Sequence, residues 1–197
     1  MQKTQGVLKR NTRFSRLLQA HPLAMAAGCG LIALGAASGI STSAILAQNG
    51  LFIRMGDASG AWFYILMRTA AFNMMLVLAA QAAVYHGAAL PFACAALSLK
   101  GTVTGFAMRQ LFWEFSRAIA LPGVLSVFLT SFPMLTALLI SFACCAANRK
   151  ADKDDFDTYR KRAYCCTALS LFLTVTGSIL EGWLSPVLLR LFYRNMV

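Results

Sequence analysis

The sequence predicts an all-α polytopic membrane bundle of about five transmembrane helices. Three observations carry that reading. Apolar types make up 58% of the 197 residues and charged types only 13%, where soluble domains carry roughly 45–50% and about 25%. The charges gather in short clusters between long uncharged runs. Five of those runs reach the roughly 20 residues that a helix needs to cross about 30 Å of hydrocarbon. A bilayer offers backbone groups no water, so lipid-facing runs of this length have to be helical.

The first run, Pro22 to Ala47, sits in a stretch (17–53) without Lys, Arg, Asp or Glu. Lys9, Arg10, Arg13 and Arg16 precede it, as in a signal peptide. The run exceeds the usual 7–15-residue apolar region and ends in no A-x-A site, so an uncleaved first span behind a basic segment, 1–21, is expected. The second span covers about 61–86 and contains Arg68 and Asn73. The third, about 88–109, contains Lys100. The fourth, 119–148, has no charge through Ala147 but carries Pro122 and Pro133. Proline removes a helical hydrogen bond and crowds the preceding turn. Either one kinked helix or a re-entrant piece followed by a span satisfies that segment. The fifth, 163–189, holds one charge, Glu181, and carries Pro186 near its end. Residues 148–162 read as a charged loop. Together, 22–194 form a single transmembrane domain.

The formal net charge of +11 suggests nucleic acid at first, but its placement points elsewhere. With five spans, the N-terminus and the 86–90 and 148–162 connections share a side holding eleven Lys and Arg, against five on the other. Basic short loops stay in the cytoplasm. The expectation is a plasma-membrane protein with its N-terminus inside and its C-terminus outside. The basic clusters face anionic membrane lipids, and no nucleic-acid partner is expected.

Arg68, Lys100 and Glu181 are the informative intramembrane residues. At about 1.5 Å per residue they lie roughly 10 Å below the outer end, 18 Å above the inner end and 27 Å above the inner end of their spans. All three then fall in the outer half. Charges in hydrocarbon face a bundle, water or a partner. Glu181 is expected to balance Arg68 or Lys100; snorkelling toward headgroups and a relay role are the alternatives. Asn73 and Gln81 can hydrogen-bond across helices. Gly35 and Gly39, with Gly28 one heptad earlier, and Gly101 and Gly105 form small-xxx-small pairs, which serve either internal packing or homo-oligomerisation.

Catalytic chemistry finds little footing. His21 and His86 belong to no HExxH pattern, and no phosphate-binding, dinucleotide or nucleophile-elbow motif occurs. The six cysteines lie in apolar stretches; Cys144–Cys145 and Cys165–Cys166 flank the basic loop, but adjacent cysteines are not the spaced pattern zinc prefers. Asp152, Asp154, Asp155 and Asp157 alternate with Lys and Arg as on a solvated loop. No metal, cofactor or enzymatic activity is expected.

Leu99–Lys100–Gly101, followed by Val103–Thr104–Gly105–Phe106, then Ser131–Phe132–Pro133, then Glu181–Gly182–Trp183–Leu184–Ser185–Pro186–Val187–Leu188–Leu189, resembles the stage II sporulation protein M family. The resemblance covers nearly the whole chain and departs from the family at Met134, where a polar residue often follows the proline. It implies a five-span, non-catalytic scaffold of endospore formation. Such a scaffold recruits the stage II sporulation proteins D and P, peptidoglycan hydrolases of the septum, during engulfment. Contacts would fall on outer loops Gln48–Gly60 and Arg109–Ala118, with Pro122, Pro133, Glu181 and Pro186 shaping the outer half. The alternative is a small transporter or channel subunit with a polar site around Arg68, Lys100 and Glu181.

Overall fold

The computed structural model describes residues 22–48, 62–86, 89–114, 117–149, 156–184 and 187–188. Five long helices make up the described chain: α1 (Pro22–Gln48), α2 (Trp62–Tyr85), α3 (Leu90–Glu114), α4 (Arg117–Arg149) and α5 (Phe156–Ile179). A π-helical turn, Leu180–Leu184, continues α5. Each long helix is apolar enough over at least 20 residues to cross a bilayer. The protein is therefore a polytopic membrane bundle, with no sheet among the described residues.

Contact registers fix the directions. Gly35 and Gly39 of α1 meet Ser98 and Thr102 of α3 in the same order, so these two helices are parallel. Asn73 and Gln81 of α2 reach Ser178 and Thr167 of α5 in the opposite order. Gly177 of α5 lies against Met134 of α4, and Ser170 against Ala137, again antiparallel. Asn73 and Lys100 meet at nearly equal distances from the short connection between Tyr85 and Leu90, so α2 and α3 form an antiparallel hairpin. Thus α1, α3 and α5 run one way and α2 and α4 the other.

α4 is the enclosed centre. Of its most apolar stretch 56% is buried, against 17% for α1, which lies at the edge. The core joins Val77, Ala80 and Val84 of α2, Ala93 and Leu97 of α3, and Met134, Ala137 and Leu138 of α4. Because the solvent outside is lipid, exposed Leu, Ile and Phe around the perimeter are the expected complement of this core.

Several boundaries differ from the hydropathy reading. Pro122 and Pro133 both lie inside one continuous 33-residue helix, so the fourth segment is a single span with no re-entrant piece. Neighbouring helices and side chains can absorb the freed carbonyls that break a helix in water. At about 50 Å, α4 is longer than the hydrocarbon is thick. The stretch Arg109–Ala118, expected as an outer loop, is mostly helix: α3 runs to Glu114 and α4 starts at Arg117. Likewise α5 begins at Phe156, inside the expected 148–162 loop. The basic N-terminal segment, the Gln48–Gly60 connection beyond Gln48 and Pro186 lie outside the described residues.

Candidate functional site

The buried charges converge between α2, α3 and the π turn. Lys100 Nζ lies 2.6 Å and 2.7 Å from the two carboxylate oxygens of Glu181. It also donates to Asn73 Oδ1 at 3.1 Å. The Asn73 amide donates to Glu181 Oε2 at 2.9 Å and to Ser178 Oγ at 3.2 Å. Three ammonium protons thus face three oxygens, and both amide protons have acceptors. Asn73 is fully buried, Lys100 is 3% exposed and Glu181 11%. The network neutralises its own charge and satisfies its own donors, which is the condition for holding ions in a low dielectric.

Local sequence puts these groups within reach. Asn73 lies midway along α2, Lys100 near the middle of α3 and Glu181 in the π turn that follows α5, so the cluster ties the middles of two helices to the end of a third. Gly177 precedes Ser178, and a Cβ there would come within 3.1 Å of Met134 N, so α5 sits close on α4. Met134, the residue where a polar group was expected from the resemblance, is fully buried against this contact. Gly182 follows Glu181 and packs on Leu66 of α2, which brings the π turn in against Asn73. π turns inside or at the ends of α-helices recur at functional sites.

Arg68 does not join. It is exposed on α2 and makes no ion pair with any described residue, so Glu181 is balanced by Lys100 alone. Five residues separate Arg68 from Asn73, a rotation of about 140° around the helix. Two residues on one helix so phased cannot both face the same carboxylate.

The glycine pairs pack on each other within one chain. A Cβ on Gly35 would fall on the carbonyl oxygen of Ser98, and one on Gly39 on that of Thr102. Reciprocally, a Cβ on Gly101 or Gly105 would fall on the carbonyl of Ile32 or Ala36. Ser98 Oγ adds a long hydrogen bond to Leu31 O, 3.5 Å. This backbone-to-backbone crossing lies immediately beside Lys100. Gly101 turns to α1 while Lys100, one position earlier, turns to α2.

A second polar cluster lies nearer the α2–α3 connection, and most of it escapes sequence reading. Gln81 Nε2 donates to Ser141 Oγ at 2.8 Å, and Thr167 donates to Gln81 Oε1 at 2.9 Å. Ser141 and Ser170 share a hydroxyl contact at 3.0 Å, as do Tyr85 and Thr167. Only Gln81 was anticipated. The signal for the others is the spacing Thr167, Ser170, Thr174, Ser178, Glu181, one polar residue every three or four along α5.

All six cysteines are free. Cys144, Cys145 and Cys166 are buried, and Cys166 Sγ approaches Ile140 O at 3.7 Å, which places Cys166 at the α4–α5 contact, whereas Cys165 is exposed. Among the described residues, no group of three or more His, Cys, Asp or Glu is placed to hold a metal ion.

No family model, no curated protein and no solved structure matches the chain.

Proposed function

We propose that this protein is a non-catalytic scaffold of the bacterial plasma membrane, acting in endospore formation like the stage II sporulation protein M family that its motifs resemble. In this reading it recruits and organises the stage II sporulation proteins D and P at the septum during engulfment. Its N-terminus lies in the cytoplasm and its C-terminus outside.

The observation that carries the reading is the closed Lys100–Asn73–Glu181 network. The charged residues of the resemblance motifs fasten α2, α3 and α5 together and leave no charge facing a cavity. A bundle that spends its buried charge on its own cohesion suits a platform, whose work is done by outward faces. The two clusters are joined by buried hydroxyls on α5, and Ser170, Thr174 and Ser178 are each at most 4% exposed. That seam is packed closed.

The decisive experiment is a crosslinking pull-down from sporulating cells fixed during engulfment. Joint recovery of the two hydrolases is the expected result. Clean recovery of the chain without either would reject the reading. The π turn at Glu181 favours a second reading, a small transporter subunit in which the pair opens to admit a substrate. Ion or proton flux through proteoliposomes of the pure protein, abolished by Glu181→Gln, would select it.

A further inference from the structure

Two thiols meet where the last turns of α4 pack on α5. Cys144 lies shortly before α4 stops at Arg149, and Cys166 about three turns after α5 starts at Phe156. Cys144 is 1% exposed and Cys166 5%. The two share a hydrogen bond across the helix contact, and Cys166 Sγ also approaches the carbonyl oxygen of Ile140. Their sequence neighbours differ from each other: Cys145 is buried and Cys165 exposed.

The surroundings of the two sulphurs are unequal. Gln81, Ser141 and Ser170, members of the second polar cluster, lie within hydrogen-bonding reach of Cys166. Cys144 has the positive charge of Arg162 on its side. A cysteine packed only as a small hydrophobe needs no such neighbours. The thiolate, not the thiol, is the nucleophile, and amide and hydroxyl donors hold the charge that a sulphur carries as it attacks. Cys166 is therefore the sulphur equipped to react first, and Cys144 the one placed to follow. Two thiols are too few for structural zinc, which takes four ligands, and the described residues supply no third.

We propose that Cys144 and Cys166 are a modification site, a thiol pair that closes to a reversible disulfide when a hydroperoxide enters the bilayer. The Cys166 sulphur attacks the terminal peroxide oxygen. The O–O bond breaks, the alcohol (or water, from hydrogen peroxide) leaves with the thiol proton, and Cys166 becomes a sulfenic acid. The Cys144 sulphur then attacks the Cys166 sulphur. The S–S bond forms, the S–O bond breaks, and water leaves with the second thiol proton. The pair gives up two electrons and the hydroperoxide takes them. Burial selects the oxidant: a hydroperoxide is small, uncharged and soluble in hydrocarbon, whereas a bulky, charged disulfide such as oxidised glutathione has no approach to either sulphur. The product staples the enclosed helix α4 to α5 beside Gln81, and a small dithiol reverses it. The inference is independent of the sporulation reading.

The test uses the full chain in nanodiscs, treated with hydrogen peroxide or with oxidised glutathione and mapped by mass spectrometry without reduction. Hydrogen peroxide should lower the mass by about 2 Da, two hydrogens, and join the Cys144 peptide to the Cys166 peptide. The link should persist in a Cys145→Ala, Cys165→Ser double variant and disappear in Cys144→Ala and in Cys166→Ala. Dimedone should trap a sulfenic acid on Cys166 in Cys144→Ala, and none on Cys144 in Cys166→Ala. Oxidised glutathione should leave both thiols reduced, and dithiothreitol should restore the starting mass. The wild-type map decides the pairing even where a variant fails to fold. No Cys144–Cys166 link after peroxide, a link mainly between other cysteines, closure by oxidised glutathione as fast as by peroxide, or sulfenic acid on Cys144 would overturn the proposal.

Discussion

Lys100 and Glu181 stand 81 residues apart in the chain and 2.6 Å apart in the bundle. Neither is affordable alone in hydrocarbon, where a single charged residue at mid-helix costs about 2.5–3.5 kcal/mol on insertion scales. Removing one partner leaves the other buried and uncompensated. Lys100→Met and Glu181→Met should each destabilise the detergent-solubilised bundle by about 3–5 kcal/mol. The double variant should recover most of that loss, because an apolar pair of similar volume carries no ions to desolvate. Thermal or denaturant unfolding in micelles reads the cycle, and purely additive losses would contradict the pairing.

Arg68 provides the contrast. It lies within the same span as Asn73 but on another face, exposed and without an ionic partner among the described residues. Arg68→Gln should change stability by no more than about 0.5 kcal/mol, the usual range for surface changes. A loss comparable to that of Lys100→Met would place Arg68 in the network after all.

The α1–α3 crossing should tolerate no side chain. Gly39→Val or Gly105→Val sets a branched group on a facing backbone carbonyl and must push the helices apart. A lower melting temperature and faster proteolysis of α1 are expected. Gly30 is the control, since a Cβ there meets nothing within 4 Å, and Gly30→Ala should be neutral or slightly stabilising.

The polar cluster around Gln81 should be worth less than the ion pair. Cross-helix hydrogen bonds in membranes average about 0.6 kcal/mol, with a maximum near 1.7. Gln81→Leu loses its bonds to Ser141 and Thr167 together and should fall toward the upper end of that range. Ser170→Ala should fall toward the lower, and the two changes should be less than additive because they share Ser141.

Single cysteines in a cysteine-free chain test the layout. With α1, α3 and α5 parallel, probes at His86 and Lys161 should label from one face of the membrane and a probe at Trp113 from the other. His86 and Lys161 on opposite faces would rule out the alternating arrangement.

The sequence makes the five helices plain because lipid demands long apolar runs, and those runs are countable. It is less informative about where helices stop. Hydropathy measures exit from the hydrocarbon, so it misses the charged turns Phe156–Arg162 by which α5 continues beyond it. Pro122 and Pro133 suggest a break, but the breaking power of proline belongs to water-exposed helices without neighbours to absorb the freed carbonyls. Candidate site residues are legible by type, since any ionisable group in an apolar run stands out. Their pairing depends on rotational phase. Arg68 and Asn73 differ by about 140°, and nothing in composition selects between them. Thr167, Ser141 and Ser170 are harder still, because hydroxyls are common in membrane helices and usually bond only to their own preceding turn, as Thr136 does here.

The glycine crossing joins the first helix to the third, with the second made in between. During synthesis α1 therefore enters the lipid before its main docking surface exists. A nascent chain halted after α2 would hold a largely bare first helix, open to capture by an insertase or by a neighbouring copy, until Gly101 and Gly105 leave the ribosome. A slower passage from residue 48 to residue 105 is therefore expected to lengthen the interval in which this helix can meet another chain before its own.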